Sequence, residues 1–163
     1  MHKILIGLGS NLDSPKEQIH NAIASITAHP LIHAVKSSSL YESRPQGPQD
    51  QGNFINAVIR IETTLEPEAL LEFLQQIEHQ QGRIKTRHWG ERCIDLDILF
   101  IDGLMNQLNL PHLSIPHPHA LKRDFVLIPA LEIAPDWMLP DGSALQAALE
   151  DCLKHDLQKL TST

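Results

Sequence analysis

The sequence predicts an α+β protein, built from a mainly antiparallel sheet with helices packed on it. The first observation is the order of the patterned segments, which follow one another as strand, helix, strand, strand, helix, strand. The second is size, because 163 residues with a hydrophobic content of 42% can bury a core of their own. Residues 1–163 are therefore predicted to form a single domain.

The first strand and the first helix are marked by an apolar run and by residues typical of a helix start. Residues 3–8 are apolar and predict a buried strand that ends near Gly7-Leu8-Gly9. This glycine pair lacks the third glycine of a dinucleotide fingerprint and the Gly-Lys-Ser/Thr of a P-loop, which favours a simple strand-to-loop turn. Ser14 and Pro15 then predict an N-cap and the first residue of a helix.

Two further strands are separated by a polar loop. Residues 31–41 predict the second strand, and residues 42–52 form a loop rich in Pro, Gly and Gln that is long enough for a binding loop or a disordered one. Residues 53–62 predict the third strand, with Phe54 and Asn56 on the face opposite its apolar residues. That pair indicates either a half-exposed sheet face or an aromatic platform beside an amide that binds a flat heterocycle.

The second helix is predicted to begin at Pro67 and to end at a Gly82 C-cap. Gln75 and Glu78 lie one turn apart on it, which favours a solvated face over a site. A fourth strand begins near Ile94. The six elements together match the split β-α-β pattern of a ferredoxin-like βαββαβ core, with helices expected on one face of the sheet.

Residues beyond the fourth strand are predicted to be C-terminal additions to this core. Residues 108–113 are expected to be extended, and the apolar residues 125–133 are expected to pack on the main body. A third helix is predicted within residues 143–153, where apolar residues recur at helical spacing.

The fourth strand carries the most informative pattern of the chain. Asp95 and Asp97 share one face of it, while the opposite face presents Ile94, Leu96, Ile98 and Phe100. Two such carboxylates lie about 6–7 Å apart at their Cα atoms and repel each other unless a cation is close to both. Mg²⁺ takes oxygen ligands of this kind together with phosphates, although a solvated sheet face is the alternative.

A cluster of basic residues precedes the aspartates. The chain carries a net charge of −7, which disfavours non-specific binding to nucleic acid and makes a local basic cluster informative. Together with the carboxylate pair, this cluster indicates a site for a metal-bound polyphosphate under a mobile loop. Its members are Arg83, Lys85, Arg87, His88 and Arg92.

Other classes of site find less support in the sequence. Cys93 and Cys152 form no paired motif, so a disulfide framework is not expected. The expected location is the reducing cytoplasm. No apolar run approaches the roughly 18 residues of a membrane span. The histidines at 112, 117 and 119 are irregularly spaced and interrupted by prolines, which favours phosphate contacts over a zinc site.

With these residues in place, the sequence resembles the 6-hydroxymethyl-7,8-dihydropterin pyrophosphokinase family. Residues 88–99, His-Trp-Gly-Glu-Arg-Cys-Ile-Asp-Leu-Asp-Ile-Leu, fit the family signature throughout. The resemblance covers nearly the whole chain, and its further motifs are Gly9-Ser10-Asn11, Gly47-Pro48-Gln49-Asp50-Gln51, Phe54-Ile55-Asn56, Gln80-Gln81-Gly82-Arg83, Ile115-Pro116-His117, Arg123-Asp124-Phe125 and Pro140-Asp141-Gly142.

The resemblance implies site residues in three groups. Asp95 and Asp97 would bind two Mg²⁺ ions and would act in catalysis with Arg83, Arg92 and Arg123. The pterin would be bound by Ser43, Gln46, Phe54, Asn56, Trp89 and Phe125, with the two phenylalanines on either side of its ring. The co-substrate ATP would contact Gln75, Glu78, Lys85, Arg87, His88, Trp89, Arg92, Ile98, His112, Ser114, His117 and Arg123.

The resemblance also implies the reaction: transfer of the pyrophosphoryl group of ATP to the hydroxymethyl oxygen of the dihydropterin, with release of AMP, in folate biosynthesis. A cytoplasmic monomer that uses ATP and the pterin, without nucleic acid or membrane, is expected. Two alternatives predict other products. A non-catalytic module would bind nucleotide or pterin without forming AMP, and an ordinary kinase would form ADP.

Overall fold

The computed structural model describes residues 1–10, 14–43, 54–83, 94–102, 108–110, 113–115, 124–139, 142–150 and 158–160. The strands within these ranges are β1 (His2–Ser10), β2 (Ile32–Ser37), β3 (Tyr41–Ser43), β4 (Phe54–Thr63), β5 (Asp95–Ile101), β6 (Leu108–Leu110), β7 (Leu113–Ile115) and β8 (Gln158–Lys159). The helices are α1 (Pro15–Thr27), α2 (Pro67–Arg83), α3 (Asp124–Ile133) and α4 (Leu145–Glu150).

The main sheet has the strand order β5-β1-β4-β3-β8, and β2 pairs with β4 beside β3. Its pairs are antiparallel. Because β2 and β3 lie one after the other along the same edge of β4, they together fill the place of the second strand in a βαββαβ core. The predicted α+β class with an antiparallel sheet is confirmed, while β6 and β7 form a separate hairpin.

The predicted second strand is divided into two at residues 38–40. Ser38 keeps the break attached to β4, because its N–H donates to the Val58 carbonyl at 2.9 Å and its hydroxyl accepts from the Val58 N–H at 3.0 Å. The side-chain hydroxyl thus replaces a backbone acceptor, and the chain turns without losing the hydrogen bond of the ladder.

Helices cover both faces of the main sheet. On one face, α1 and α2 pack on a first core that includes Ile6, Ile19 and Leu74. On the other face, α3 and α4 pack on a second core that includes Leu5 and Val58. The expectation of helices on one face alone was therefore wrong, because β1 and β4 carry buried apolar residues on both of their faces.

A β-bulge in β5 corrects the predicted direction of one side chain. Leu5 pairs with Phe100 and Ile6 with Ile98, so Leu99 is an extra residue on β5. The strand changes phase there, and Leu99 and Phe100 both enter the second core. Strict alternation predicted Phe100 and Ile98 on the same face of β5. That prediction was wrong, because the bulge turns Phe100 to the opposite face.

The predictions for α1 and α2 hold better at the N-termini of the helices than at the C-terminus of α2. Pro15 and Pro67 begin α1 and α2 as predicted, but the Ser14 side chain makes no capping hydrogen bond and its backbone is left-handed, with φ 62°. Gly82 lies inside the last turn of α2, so the predicted C-cap was wrong.

Among the described residues, no helix is both long and apolar enough to span a membrane.

Candidate active site

A pocket of about 300 Å³ opens on the sheet face that also carries the second core. Strands β1, β3, β4 and β5 form its base, and α3 forms one wall. Its lining consists of Gly7, Leu8, Gly9, Ser43, Phe54, Asn56, Ala57, Val58, Asp95, Asp97, Leu99, Phe125 and Val126.

The floor of the pocket is bare backbone. Gly7 pairs with Asp97 on one side and Val58 on the other, and Gly9 pairs with Asp95 and Asn56. A Cβ atom at Gly7 would lie 3.2 Å from Leu99 Cδ1, and one at Gly9 would lie 3.4 Å from Asn56 Oδ1. The two glycines thus belong to the strand, and the predicted strand-to-loop turn at this position was wrong.

Carboxylates form the side of the pocket at the β5 edge. Asp95 is half-buried and Asp97 is exposed, and both line the pocket, as the alternation along β5 predicted. Within the described ranges, no group of three or more His, Cys, Asp or Glu side chains is arranged to hold a metal. Two carboxylates nevertheless fit Mg²⁺, because proteins hold this ion through one or two carboxylates while substrate phosphates supply further ligands.

An amide and two aromatic rings form the other side. Asn56 is buried, and its Nδ2 donates to Ser43 Oγ at 2.8 Å. Toward the described residues the Asn56 amide makes this one side-chain hydrogen bond, which leaves a second N–H and the carbonyl oxygen to meet a ligand. Phe54 comes from the sheet and Phe125 from α3, so aromatic surface lines the pocket from two different layers.

The structure brings six of the predicted site residues together, and these line the pocket: Ser43, Phe54, Asn56, Asp95, Asp97 and Phe125. Ile98 packs in the first core, on the opposite face of β5, so only its backbone is available to a ligand near this edge. Gln75 is exposed on α2, in a shallow surface depression outside the pocket.

The remaining predicted residues lie outside what the structure describes. For Arg83 in α2 and Ser114 in β7, the backbone is described but the side chain is not. The residues that fall wholly outside the described ranges are Gln46, Lys85, Arg87, His88, Trp89, Arg92, His112, His117 and Arg123.

Glu78 has a structural contact that the sequence did not reveal. Its Oε2 accepts a hydrogen bond of 2.8 Å from the Leu96 N–H, on the outer edge of β5. Leu96 lies between Asp95 and Asp97, so Glu78 anchors the backbone segment that carries both carboxylates. A wholly solvated face at this point of α2 was therefore the wrong alternative.

Replacing Glu78 with alanine is expected to lower the free energy of unfolding by about 1–2 kcal/mol, because the Leu96 N–H loses its acceptor. Glu78→Gln keeps a carbonyl acceptor and should lose less. Urea unfolding measures the difference, and Glu72→Ala, an exposed glutamate on the same helix, is the matched control. Equal losses in Glu72→Ala and Glu78→Ala would contradict this account of the hydrogen bond.

A second carboxylate, Glu132 on α3, was missed by the sequence analysis. It accepts hydrogen bonds from the Ser39 N–H, the Ser39 hydroxyl and the Tyr41 hydroxyl. The signal that could have revealed it is its isolation, since it is the one charged residue in the apolar segment from 125 to 133.

The contacts of Glu132 shift the pKa values of both partners. Desolvation by burial raises the pKa of the Tyr41 hydroxyl, and the hydrogen bond to Glu132 and the negative charge of Glu132 raise it further. Desolvation alone would also raise the pKa of Glu132, but hydrogen bonds from Tyr41 and Ser39, with the charge of Lys159, outweigh it and lower that pKa. At neutral pH the pair is thus a neutral phenol that donates to a carboxylate.

Comparison with known proteins places this site in a family context. The family model described as "7,8-dihydro-6-hydroxymethylpterin-pyrophosphokinase (HPPK)" matches residues 5–135. A 2-amino-4-hydroxy-6-hydroxymethyldihydropteridine pyrophosphokinase of Haemophilus influenzae is 44% identical over 95% of this chain and 96% of its own length. A protein of the same name from Pseudomonas aeruginosa is 42% identical over 98% of each chain.

Solved structures support the fold. The crystal structure of Plasmodium falciparum HPPK-DHPS wild type with SDX-DHP matches 93% of this chain with a TM-score of 0.65 and 14% identity. A structure titled HPPK-DHPS in complex with substrates matches with a TM-score of 0.68 and 13% identity. This chain spans 43% and 45% of those two longer chains, respectively, so the likeness concerns one part of each.

Proposed function

The chain belongs to the 7,8-dihydro-6-hydroxymethylpterin-pyrophosphokinase family, and on that basis we propose a role for each side of its pocket. The chain transfers the pyrophosphoryl group of ATP to 6-hydroxymethyl-7,8-dihydropterin, a step of folate biosynthesis. The observation that supports the roles best is the lining of the pocket, with carboxylates on one side and an amide with aromatic rings on the other.

The aromatic side binds the pterin in this proposal. Phe54 and Phe125 hold the two faces of the flat ring, and Asn56 with Ser43 binds its polar edge. The remaining amide N–H and carbonyl of Asn56 can meet an acceptor and a donor that lie side by side on a heterocycle, which supports this role. Gln46 and Trp89 complete the pterin contacts in the proposal.

On the carboxylate side, Asp95 and Asp97 would hold two Mg²⁺ ions beside the phosphates of ATP. When bound, these ions neutralise phosphate charge that the two carboxylates would otherwise repel. We assign Arg83, Arg92 and Arg123 to the charge that develops during transfer. The other proposed ATP contacts are Gln75, Glu78, Lys85, Arg87, His88, Trp89, Ile98, His112, Ser114 and His117.

In the reaction, the hydroxymethyl oxygen attacks the β-phosphorus of ATP, and its proton is released to solvent. The bond from that phosphorus to the oxygen bridging the α- and β-phosphates breaks, and AMP leaves. The contribution of the chain is to hold the pterin with its hydroxymethyl group toward the carboxylate side, so that attack is in line.

Residues 1–163 act as one pyrophosphokinase domain in this proposal. Two observations support this assignment. The family model matches residues 5–135, and the strands β1 to β5 pair with β8 in one sheet. We further propose a monomer in the cytoplasm. The cysteine content, two residues in no paired motif, fits a reducing compartment.

The test is the identity of the nucleotide product. With ATP, Mg²⁺ and the hydroxymethyldihydropterin, we expect AMP in a one-to-one ratio with pterin diphosphate, and none after chelation of the metal. Chromatography separates AMP from ADP. Formation of ADP would identify an ordinary kinase, and ligand binding without AMP would identify a binding module, so either result would overturn the proposal.

A further inference from the structure

We propose that Glu132 is a positioning residue for pterin binding, which fixes α3 on the sheet and thereby holds Phe125 over the pocket. The inference rests on the proposed role of Phe125 in binding the pterin ring. Glu132 itself does not line the pocket, so any effect it has on the substrate is exerted through other residues.

The first support is the set of donors around the carboxylate. The Ser39 N–H lies 3.1 Å from each carboxylate oxygen, the Ser39 hydroxyl lies 2.8 Å from Oε2, and the Tyr41 hydroxyl lies 2.7 Å from Oε1. Both oxygens therefore face donors. An ionised carboxylate accepts at both atoms, whereas a carboxamide offers one acceptor and would force a hydroxyl to become the acceptor at the other. Hydrogen bonds to a charged acceptor are stronger and more directional than neutral ones.

The second support is where these donors lie in the sheet. Ser39 belongs to the break between β2 and β3, and Tyr41 is the first residue of β3. Tyr41 pairs directly with Asn56, and two residues later Ser43 accepts the Asn56 amide. Glu132 is thus hydrogen-bonded to β3, the strand that carries Ser43 and pairs with Asn56. These are the two residues proposed to bind the polar edge of the pterin.

The third support is the geometry of α3. Phe125 and Glu132 are seven residues apart, which is about two turns and about 10 Å along a helix, so they lie on nearly the same side of it. One end of that side lines the pocket and the other end is bonded to β3. Fixing the second end therefore limits both sliding and rotation at the first.

Apolar packing alone would fix α3 less well. The helix buries apolar residues around much of its circumference, among them Val126, Leu127, Ala130 and Ile133. Contacts of this kind are non-directional, so burial spread around the helix selects one rotation less sharply than directional hydrogen bonds do. The bonds from Ser39 and Tyr41 supply the missing directional restraint.

The experiment compares Glu132→Gln with Glu150→Gln, an exposed glutamate on α4, as the matched control. Titrations with the hydroxymethyldihydropterin and with a non-hydrolysable ATP analogue are made at a temperature where circular dichroism shows each variant folded. We expect Glu132→Gln to raise the Kd of the pterin roughly 10-fold, with the Kd of the ATP analogue within about 2-fold of the parent. Glu150→Gln should change neither value.

A double-mutant cycle with Phe125→Ala separates positioning from general destabilisation. If Glu132 acts through Phe125, Glu132→Gln should raise the pterin Kd much less in the Phe125→Ala background. An equal effect in both backgrounds, an unchanged pterin Kd, or a parallel loss of pterin and ATP-analogue binding would overturn the inference.

The same cycle distinguishes the inference from the proposed function on which it rests. If Phe125→Ala alone leaves the pterin Kd unchanged, the proposed role of Phe125 has failed, and the inference fails with it. If Phe125→Ala weakens pterin binding but Glu132→Gln does not, the proposed site stands and the positioning role alone is overturned.

Discussion

Replacement of Asp97 by alanine is expected to leave the fold intact and to reduce turnover at least about 10³-fold, a size common for removal of a key electrostatic group. Asp97 is exposed and belongs to neither core, so its loss removes no apolar packing. It also removes repulsion between two carboxylates on one strand face. Asp97→Ala should therefore weaken the binding of the metal and the phosphates and leave the free energy of unfolding nearly unchanged.

The measurement is the rate of AMP release at saturating ATP and pterin over a series of Mg²⁺ concentrations. Asp136→Asn, a change at an exposed aspartate beyond the end of α3, is the control and should retain the parent rate. Circular dichroism and urea unfolding confirm the fold of both variants. Near-normal release of AMP by Asp97→Ala would exclude the proposed metal role of this carboxylate.

Replacement of Asn56 by alanine is expected to raise the KM for the pterin about 100-fold, because the polar edge of the ring then faces no amide partner. Asn56 is 7% exposed, so water cannot readily replace the lost amide. The ATP side of the pocket is built from β5 and should be affected far less. A split between the two KM values is therefore the signature of a pterin-specific role.

Steady-state rates with each substrate varied in turn measure this split. Asn56→Ala also deprives Ser43 Oγ of a donor, so a stability loss of about 1 kcal/mol is expected beside the kinetic effect. Asn21→Ala, at an exposed asparagine on α1, controls for removal of an amide. An unchanged KM for the pterin, or equal rises in both KM values, would argue against the assignment.

Much of the fold was predictable because periodicity reports which face of an element is buried. The alternation along β5 correctly put Asp95 and Asp97 on one face. It could not report the bulge at Leu99, since an extra residue in a strand depends on how the neighbour pairs. The division between β2 and β3 was also hidden, because residues 38–40 contain neither proline nor glycine to mark a turn.

The site was predictable where its residues share a strand and less so where layers meet. Phe54 and Asn56 could be paired from their spacing alone, whereas Phe125 reaches the same pocket only because α3 packs across the sheet. The family resemblance alone predicted that Phe125 lies in the same site as Phe54 and Asn56. The turn predicted at Gly7 and Gly9 was wrong because glycine usually marks a turn. Here both lie in a strand, where a Cβ atom at Gly7 would crowd Leu99 and one at Gly9 would touch Asn56.

The bare glycine floor has a consequence for the thermodynamics of ligand binding. β1 is hydrogen-bonded to β4 on one side and to β5 on the other, so its amides are expected to open only in the rarest fluctuations of the sheet. A ligand that lies on this floor meets a surface already ordered before it arrives. Conformational entropy is then lost mainly where side chains and loops close around the ligand, and affinity depends on the walls rather than the base.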